Sequence, residues 1–457
     1  MKKIRGRYKL LLYGMSGLGM NMLNLIIGSY LCDALMIEGF VENTNNWTYM
    51  DKTLVVAGLW SIMITFGKIL DGIIDIPFAG WTDHLKSKWG KRRPAILAGL
   101  IPTVIAYVLF LIPLQSKEHS IVNTIWFGFL LCVFYAFYTL TMVTYYATFS
   151  EIVDNDNDRV TLSNVKTVFD VIYYVLGYAL IPAFVGSMNI RVIALIFLPF
   201  SLTMLIPLFM IKERSTLEED VVAYSKEDDY EPEETVGIWD SLKYAIKNKS
   251  FIVWMGVYFT LQFSTQLFLN GQNVIYSGYV QLEGIEITLV MGCAFAPVPL
   301  TLILYNSLVK KHGIRTGYIY SLLSYMAAMV VLIFSSKELI PNDTARIIFA
   351  CLGGFLSSFG TGCFFSINYT IPSTLAIIEK KETGISHPAM YFAIQGLAGA
   401  IATALSTGLI WVNLKDYNAV WFTPFVVISG SIASLILTKF MSKQVSNIGK
   451  TQPHEEI

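Results

Sequence analysis

The chain has 457 residues, of which 54% are hydrophobic and 14% are charged, and its mean hydropathy is +0.55. This composition is too apolar for a soluble domain of that length, so it predicts an integral membrane protein. Lys and Arg balance Asp and Glu at 33 each, and a net charge of zero gives no indication of a nucleic-acid partner. The five cysteines lie apart without CxxC or Cys/His spacing, which argues against disulfides and a transition-metal site.

Apolar runs of about twenty residues or more recur along the chain, and each is long enough to cross a hydrocarbon core about 30 Å thick as a helix. We predict twelve such spans. They cover residues 10–33, 53–79, 94–114, 123–150, 166–187, 190–211, 251–278, 286–308, 316–335, 344–377, 388–411 and 419–440. The predicted fold class is therefore an all-α integral membrane protein.

The basic residues are distributed unevenly between the two ends of these spans. With both termini inside, 26 of the 33 Lys and Arg residues fall on the inner side, six fall outside and Lys68 lies within a span. This bias follows the positive-inside rule. We expect a multi-pass protein of the bacterial inner (plasma) membrane with both termini cytoplasmic, and we expect a monomer.

The longest polar interval separates six spans on either side. It begins with the acidic stretch STLEEDVVAYSKEDDYEPEETVG, followed by GIWDSLKYAIKNK, in which Ile238, Leu242 and Ile246 recur at helical spacing. We therefore predict four parts: an N-terminal six-helix half (1–211), an inner-side acidic loop with an interfacial helix (212–249), a C-terminal six-helix half (250–441) and an inner-side tail (442–457).

The two halves resemble each other after their second spans. GWTDHLKSKWGKRRP (80–94) follows span 2 and NSLVKKHGIRTG (306–317) follows span 8, and both are short basic turns with a glycine between the charges. A duplicated six-helix unit predicts this relation, with substrate handled between the repeats near the bilayer midplane. Together with twelve spans, the similarity favours a transporter.

Span 2 contains three charged residues in the segment KILDGIIDIPFAGWTD (68–83). Lys68, Asp71 and Asp75 are spaced i, i+3 and i+7, so their side chains share one face of a helix. A charge at the bilayer centre costs at least about 2.5 to 3.5 kcal/mol on insertion scales, so this face is predicted to line an interior cavity.

Two carboxylates and one ammonium leave this face with a net negative charge. A bound Na⁺ or Li⁺, or a proton on one aspartate, would neutralise it and provide ion coupling. The alternative is a salt bridge between Lys68 and Asp71 that only stabilises helix packing, with Asp75 reaching the inner interface.

The same segment resembles the glycoside-pentoside-hexuronide:cation symporter family of the major facilitator superfamily, to which the melibiose carrier belongs. That family shows a basic residue, two aspartates and a glycine in helix 2, then a loop with an Arg/Lys-Trp-Gly-Lys-x-x-Pro signature. The matching residues here are Lys68, Asp71, Asp75, Gly80, Lys88, Trp89, Gly90, Lys91 and Pro94. Weaker similarity extends to residues 13–23, 138–152 and 390–400.

The resemblance implies a major facilitator fold with two six-helix halves and a cation site. Asp71 and Asp75 correspond to the family's cation-site carboxylates, Thr139 to a hydroxyl that joins them, and Lys68 to their charge partner. The inner gate would comprise Trp89, Gly90, Lys91 and Arg92.

The resemblance also implies substrate contacts. Asn21 and Tyr146 replace a sugar-binding aspartate and tryptophan of the melibiose carrier, and Lys166 matches a basic residue of the family. Polar residues of later spans, Gln266, Asn368 and Gln395, are further cavity candidates, although an interhelical hydrogen bond is the alternative for each. Asp170 is expected to be solvated or paired at a gate.

These expectations describe a secondary active transporter that couples Na⁺, Li⁺ or H⁺ movement to uptake of a sugar or glycoside by alternating access. It is expected to have no enzymatic activity and no cofactor, because no nucleophile pair, metal cluster or phosphate loop is present. Two alternatives remain open: proton-driven efflux or exchange of a non-sugar solute, and a membrane sensor that does not transport.

Overall fold

The computed structural model describes residues 6–41, 43–83, 85–152, 156–217, 246–383, 388–448 and 450. Regular structure in these ranges is helical, with no strand. Twelve helices in them are long and apolar enough to cross a membrane. The predicted all-α fold with twelve spans is confirmed.

The chain divides into two units, and the first comprises Met1–Ile37 with Asn43–Thr235. Some of its six spans are continuous, whereas others change from α-helix to π- or 3₁₀-helix. They are α1 (Arg7–Met15, Leu18–Ile26, π-helical Ile27–Leu31 and 3₁₀-helical Asp33–Leu35), α2 (Ala57–Asp83), α3 (Arg92–Phe110), α4 (Ile121–Ile152), α5 (Asp156–Tyr174, π-helical Val175–Leu180 and Ile181–Val185) and α6 (Ile190–Phe197, 3₁₀-helical Leu198–Met204 and Leu205–Met210).

The second unit comprises Glu38–Glu42 with Val236–Ile457 and also contains six spans. These are α7 (Lys249–Val274 and π-helical Ile275–Tyr279), α8 (Gly284–Phe295 and Val298–His312), α9 (Ile314–Ile333), α10 (Asp343–Thr383), α11 (Pro388–Thr403, π-helical Ala404–Trp411 and Val412–Asp416) and α12 (3₁₀-helical Val420–Phe422 and Thr423–Thr438). α8 is interrupted before Pro297, which cannot donate a backbone hydrogen bond.

Helices pair in the same pattern within each unit. In the first unit α1 packs against α5 and α6, and α4 packs against α2 and α3. In the second unit α7 packs against α11 and α12, and α10 packs against α8 and α9. The π-helical segments also occur at equivalent positions in the two units: in α1 and α5 of the first, and in α7 and α11 of the second. Both features are those of a duplicated six-helix unit.

The two π-helical segments of the first unit contact each other. The Tyr30 hydroxyl donates to the carbonyl oxygen of Gly177 over 2.6 Å, and the Ser29 and Tyr178 hydroxyl oxygens lie 2.9 Å apart. A π-helical turn changes the regular backbone hydrogen-bond ladder, and a buried carbonyl needs a partner. These bonds fasten α1 to α5, the helices that carry Asn21 and Asp170.

Some boundaries differ from those predicted. α2 begins at Ala57 rather than at residue 53, because the preceding residues are not helical and Val56 donates its amide to the Thr124 hydroxyl. α10 continues to Thr383. Most of the predicted acidic loop and interfacial helix, residues 218–245, lies outside the described residues, although Ile246 is described and exposed.

Candidate functional site

The second helix, α2, has two chemically distinct faces. Ile62, Phe66 and Ile73 are each more than half exposed, as expected of side chains that face lipid. At about 100° per residue, the stripe of Lys68, Asp71 and Asp75 points away from them on the opposite side of the helix. The three charged side chains are half-buried and face the interior of the first unit.

Asp71 lies against α4. The Thr139 hydroxyl donates to Asp71 Oδ1 over 2.5 Å, and Asp71 makes no other hydrogen bond within the described residues. Asp75 lies one helical turn further along the same face. Carboxylate and hydroxyl oxygens are the ligands that hard cations prefer, so the groups present suit a small alkali cation or a proton.

Lys68 makes a cation–π contact rather than a salt bridge. Its Nζ lies 3.8 Å from the centre of the Tyr135 ring on α4. No carboxylate of the described chain lies within salt-bridge distance of this ammonium. The negative charge of Asp71 is therefore near a positive charge without being directly paired to it.

A second polar cluster lies between α1, α4 and α5. Asn21 donates through Nδ2 to Asp170 Oδ1 over 3.2 Å and accepts from the Tyr138 hydroxyl over 3.0 Å. Lys166 donates to Asp170 Oδ2, forming an i,i+4 ion pair. Lys166 Nζ also lies 5.0 Å from the centre of the Tyr146 ring. The structure thus brings Asn21, Tyr146 and Lys166 together around Asp170.

Adjacent residues of α4 join this cluster to the stripe on α2. Tyr138 binds Asn21, and its neighbour Thr139 binds Asp71. The Tyr138 ring is itself held by stacking on Phe134, with ring centres 5.9 Å apart. A small movement of this part of α4 would therefore change the hydrogen bonding of both Asp71 and, through Asn21, Asp170.

The two adjacent tyrosines after the cluster have different environments. Tyr145 is fully buried, and its hydroxyl donates to the carbonyl oxygen of Tyr13 over 2.5 Å. Tyr146 is 38% exposed and lies beside Lys166. Met142, one turn before Tyr145 and Tyr146, is buried in the apolar core. Tyr146 is thus the residue of the tyrosine pair that belongs to the polar cluster.

The candidates of the second unit do not form a charged cluster. Gln395 is buried and links three helices: it accepts from Trp254 Nε1 over 2.7 Å and donates to the carbonyl oxygen of Asn368 over 2.8 Å. Gln266 accepts from Asn270 Nδ2 on its own helix over 3.1 Å. The observed bonds of Gln395 are interhelical, which is the alternative that the sequence left open for it.

The predicted gate residues after α2 are held by the segment after α6. The Glu213 carboxylate accepts a hydrogen bond from the backbone N–H of Arg92, the first residue of α3, over 2.9 Å. An anion there satisfies a free amide and complements the helix dipole. Gly90 has φ of 82°, and a Cβ at this residue would lie 2.2 Å from Glu213 Cβ. Trp89 is exposed, Lys91 half-buried and Arg92 buried.

A second contact completes this arrangement, which we call the α3 clasp (residues 85–92 with 213–216). The Ser87 amide donates to Thr216 Oγ1 over 2.9 Å, and the Thr216 amide donates back to the carbonyl of Ser87 over 3.0 Å. Because these bonds are reciprocal, the loop and the segment after α6 hold each other in place.

The second unit repeats the clasp with neutral groups. Gly313, with φ of 88°, precedes α9, and the Ile314 amide donates to the carbonyl of Ile448 over 3.0 Å. A Cβ on Gly313 would lie 2.5 Å from the carbonyl oxygen of Ser446. The similarity between the two basic turns therefore includes a left-handed glycine and a helix cap supplied by the segment after the sixth helix of each unit.

Four residues of the polar cluster and the α3 clasp were not identified as site residues from the sequence: Tyr138, Asp170, Glu213 and Thr216. Asp170 had a usable signal, because its i,i+4 spacing from Lys166 predicts an ion pair on one helix face. Glu213 and Thr216 are distant from the gate in sequence. Among the described residues no group of three or more His, Cys, Asp or Glu side chains could hold a metal ion.

Comparison with known proteins identifies the family. The family model described as MFS/sugar transport protein matches residues 12–439, which is nearly the whole chain. The chain belongs to this family. Its family and fold are those of multi-pass membrane transporters of small molecules, for which enzymatic activity is not typical.

Individual proteins that resemble this chain match it over very different lengths. An uncharacterised symporter of Synechocystis is 30% identical over 125 residues, which are 26% of this chain and 23% of the relative, so the match spans less than a quarter of that protein's length. The solved nucleoside transporter NupG has a TM-score of 0.62 at 12% identity and covers 96% of this chain and 98% of its own. A D-xylose-proton symporter has a TM-score of 0.61 at 13% identity, with coverages of 97% and 99%. These two likenesses establish the fold.

Proposed function

We propose that this transporter couples the movement of Na⁺, Li⁺ or H⁺ to uptake of a sugar or glycoside, as a glycoside-pentoside-hexuronide:cation symporter. One observation carries the proposal. Asp71 and Asp75 face the interior of a membrane-embedded unit, and Asp71 is bound by the Thr139 hydroxyl instead of a basic side chain. A negative charge at this position raises the free energy of the protein in the membrane unless an opposite charge compensates it, and a mobile cation can provide that charge.

The arrangement supports a simple coupling mechanism. A cation that binds Asp71, Asp75 and Thr139 removes the excess negative charge of the stripe. Because Tyr138 and Thr139 are adjacent, cation binding also orders the part of α4 that holds Asn21. The loaded site then favours solute binding, and the carrier reorients when it is either fully loaded or empty.

The second polar cluster supports a hydroxylated solute. Asn21, Lys166 and Asp170 supply hydrogen-bond donors and acceptors, and Tyr146 supplies a partly exposed ring. The family is one of sugar transport proteins, and the D-xylose-proton symporter shares the fold. We place the protein in the plasma membrane with both termini cytoplasmic and the α3 clasp on the inner side, acting as a monomer.

The direct test uses purified protein in liposomes with an imposed Na⁺ or pH gradient. A panel of radiolabelled glycosides is first screened by the thermal stabilisation that each gives with and without Na⁺. The wild type is expected to accumulate a stabilising sugar above its equilibrium level when the correct gradient is imposed. Asp71→Asn is expected to abolish accumulation while retaining native expression and monodispersity. Full active uptake by this variant would contradict the proposal.

A matched pair of alanine variants on α4 isolates the hydroxyl contribution. Thr139 binds Asp71, whereas Thr144 donates to the carbonyl of Leu140 on its own helix. Thr139→Ala is expected to raise the cation concentration for half-maximal stabilisation roughly tenfold, because a hydrogen bond to a charged group is lost. Thr144→Ala is expected to leave that concentration unchanged.

The same vesicles distinguish the rival functions. Outward solute movement driven by an inward proton gradient would identify an exchanger or efflux carrier. Cation-dependent sugar binding without flux would identify a sensor. Either outcome would overturn symport.

A further inference from the structure

We propose, building on the function above, that Asp170 makes the solute site selective for electrically neutral sugars and excludes their uronic acids. The cargo would then be a neutral glycoside or pentoside. The residue acts by neutralising Lys166, and it is a specificity determinant rather than part of the cation site.

The geometry of the ion pair carries this inference. Lys166 and Asp170 bind each other directly across one helical turn of α5, with side chains that are 20% and 28% exposed. Each side chain therefore keeps some open surface while its charge is compensated. A buried pair without access could not meet a solute, and a fully solvated pair would have little electrostatic effect.

Both carboxylate oxygens of Asp170 are already oriented. Oδ2 accepts from Lys166, and Oδ1 accepts from Asn21 Nδ2, whose own oxygen accepts from Tyr138. A carboxylate oxygen has more than one lone pair, so each can accept a further hydrogen bond from a sugar hydroxyl. This is a suitable environment for a neutral polyol.

A uronate would meet the same groups unfavourably. Its carboxylate would have to compete with Asp170 for Lys166 while lying close to a like charge. Removing the Asp170 charge would remove this repulsion between like charges.

The test compares matched sugars that differ only at C6. The probes are methyl glucoside against methyl glucuronide and methyl galactoside against methyl galacturonide, with binding measured by calorimetry in saturating Na⁺. We expect the wild type to bind the neutral member of a pair at least about tenfold more tightly. Asp170→Asn should shift the affinity ratio toward the uronide by at least about tenfold.

Two further variants exclude a general loss of structure. The double variant Lys166→Gln with Asp170→Asn removes both charges and should return the preference to the neutral sugar. Asp343→Asn breaks another ion pair within a single helix, in which Asp343 Oδ1 accepts from Arg346 over 2.7 Å at the start of α10. It should leave the ratio unchanged.

The outcomes separate this inference from the proposed function. Equal or tighter binding of the uronide by the wild type, or a ratio unmoved by Asp170→Asn, overturns the role of Asp170 and leaves sugar symport intact. If no sugar of either pair binds while Na⁺ still stabilises the protein, the sugar cargo is wrong and this inference fails with it.

Discussion

The two units share one helix arrangement but place different chemistry inside it. The described spans of the first unit carry Lys68, Asp71, Asp75, Lys166 and Asp170 at half-buried positions. The spans of the second unit carry neutral amides, of which Gln395 connects α7, α10 and α11. The helix pairings, the π-helical segments and the glycine clasps are nevertheless repeated. A duplicated scaffold therefore carries a cluster of ionisable side chains in one copy and neutral interhelical hydrogen bonds in the other.

The clasps show the same difference on a smaller scale. The first amide of α3 is capped by the Glu213 carboxylate, whereas that of α9 is capped by the backbone carbonyl of Ile448. Both units cap the helix in the same way, but only the first unit uses a charged group to do so. We therefore expect the loss of stability caused by a substitution near the charged residues of the first unit to depend on the cation concentration. The loss caused by a substitution in the second unit should not.

The largest effect is expected from Lys68→Met. The two aspartates of α2 would lose their nearby positive charge, and an uncompensated buried charge destabilises by about 3 to 5 kcal/mol. If Na⁺ binds Asp71 and Asp75 as proposed, it should recover much of this loss, because a ligand that binds only the folded state stabilises that state. Thermal unfolding of the purified protein across a Na⁺ titration measures both effects.

Lys415→Met is the matched control for that experiment. Lys415 lies in the second unit and is buried, and like Lys68 it contacts an aromatic ring, with Nζ 4.8 Å from the centre of the Phe40 ring. Its substitution should destabilise the protein without recovery by Na⁺. Equal recovery of both variants would show that Na⁺ acts nonspecifically and would remove the distinction between the units.

A smaller effect is expected from Gln395→Leu. The change leaves Trp254 Nε1 and the Asn368 carbonyl without their observed partner, with an expected loss of about 1 to 2 kcal/mol. The Na⁺ dependence should stay as in the wild type. A selective loss of sugar binding at unchanged stability would instead make Gln395 a substrate residue, which is the other role predicted for this polar residue from the sequence.

The smallest effect is expected from Glu213→Ala. Loss of a helix cap typically destabilises by about 1 kcal/mol, and the α3 clasp should become more accessible to limited proteolysis near Trp89. Ser446→Ala is the control, because the second clasp uses backbone carbonyls instead of that side chain. A larger effect of the serine variant would contradict the proposed equivalence of the clasps.

Much of the fold was predictable because the bilayer leaves few solutions for a chain with twelve apolar runs. The stripe on α2 was predictable for a similar reason, since i, i+3 and i+7 spacing places side chains on one helix face whatever the surroundings. Helix boundaries were less predictable. The predicted first turn of α2 is absent, because the Val56 amide donates to the hydroxyl of Thr124, a residue 68 positions away in the sequence.

The amino-acid sequence alone determined the twelve spans, the position of Lys68, Asp71 and Asp75, and the spacing of Lys166 and Asp170, because these depend on hydrophobicity and on the geometry of a single helix. Only the tertiary structure decided that Lys68 stacks on Tyr135, that Asn21 bridges Tyr138 to Asp170, and that Glu213 caps α3. Those partners come from different helices, and their meeting depends on how the helices pack, which no local pattern of residues specifies.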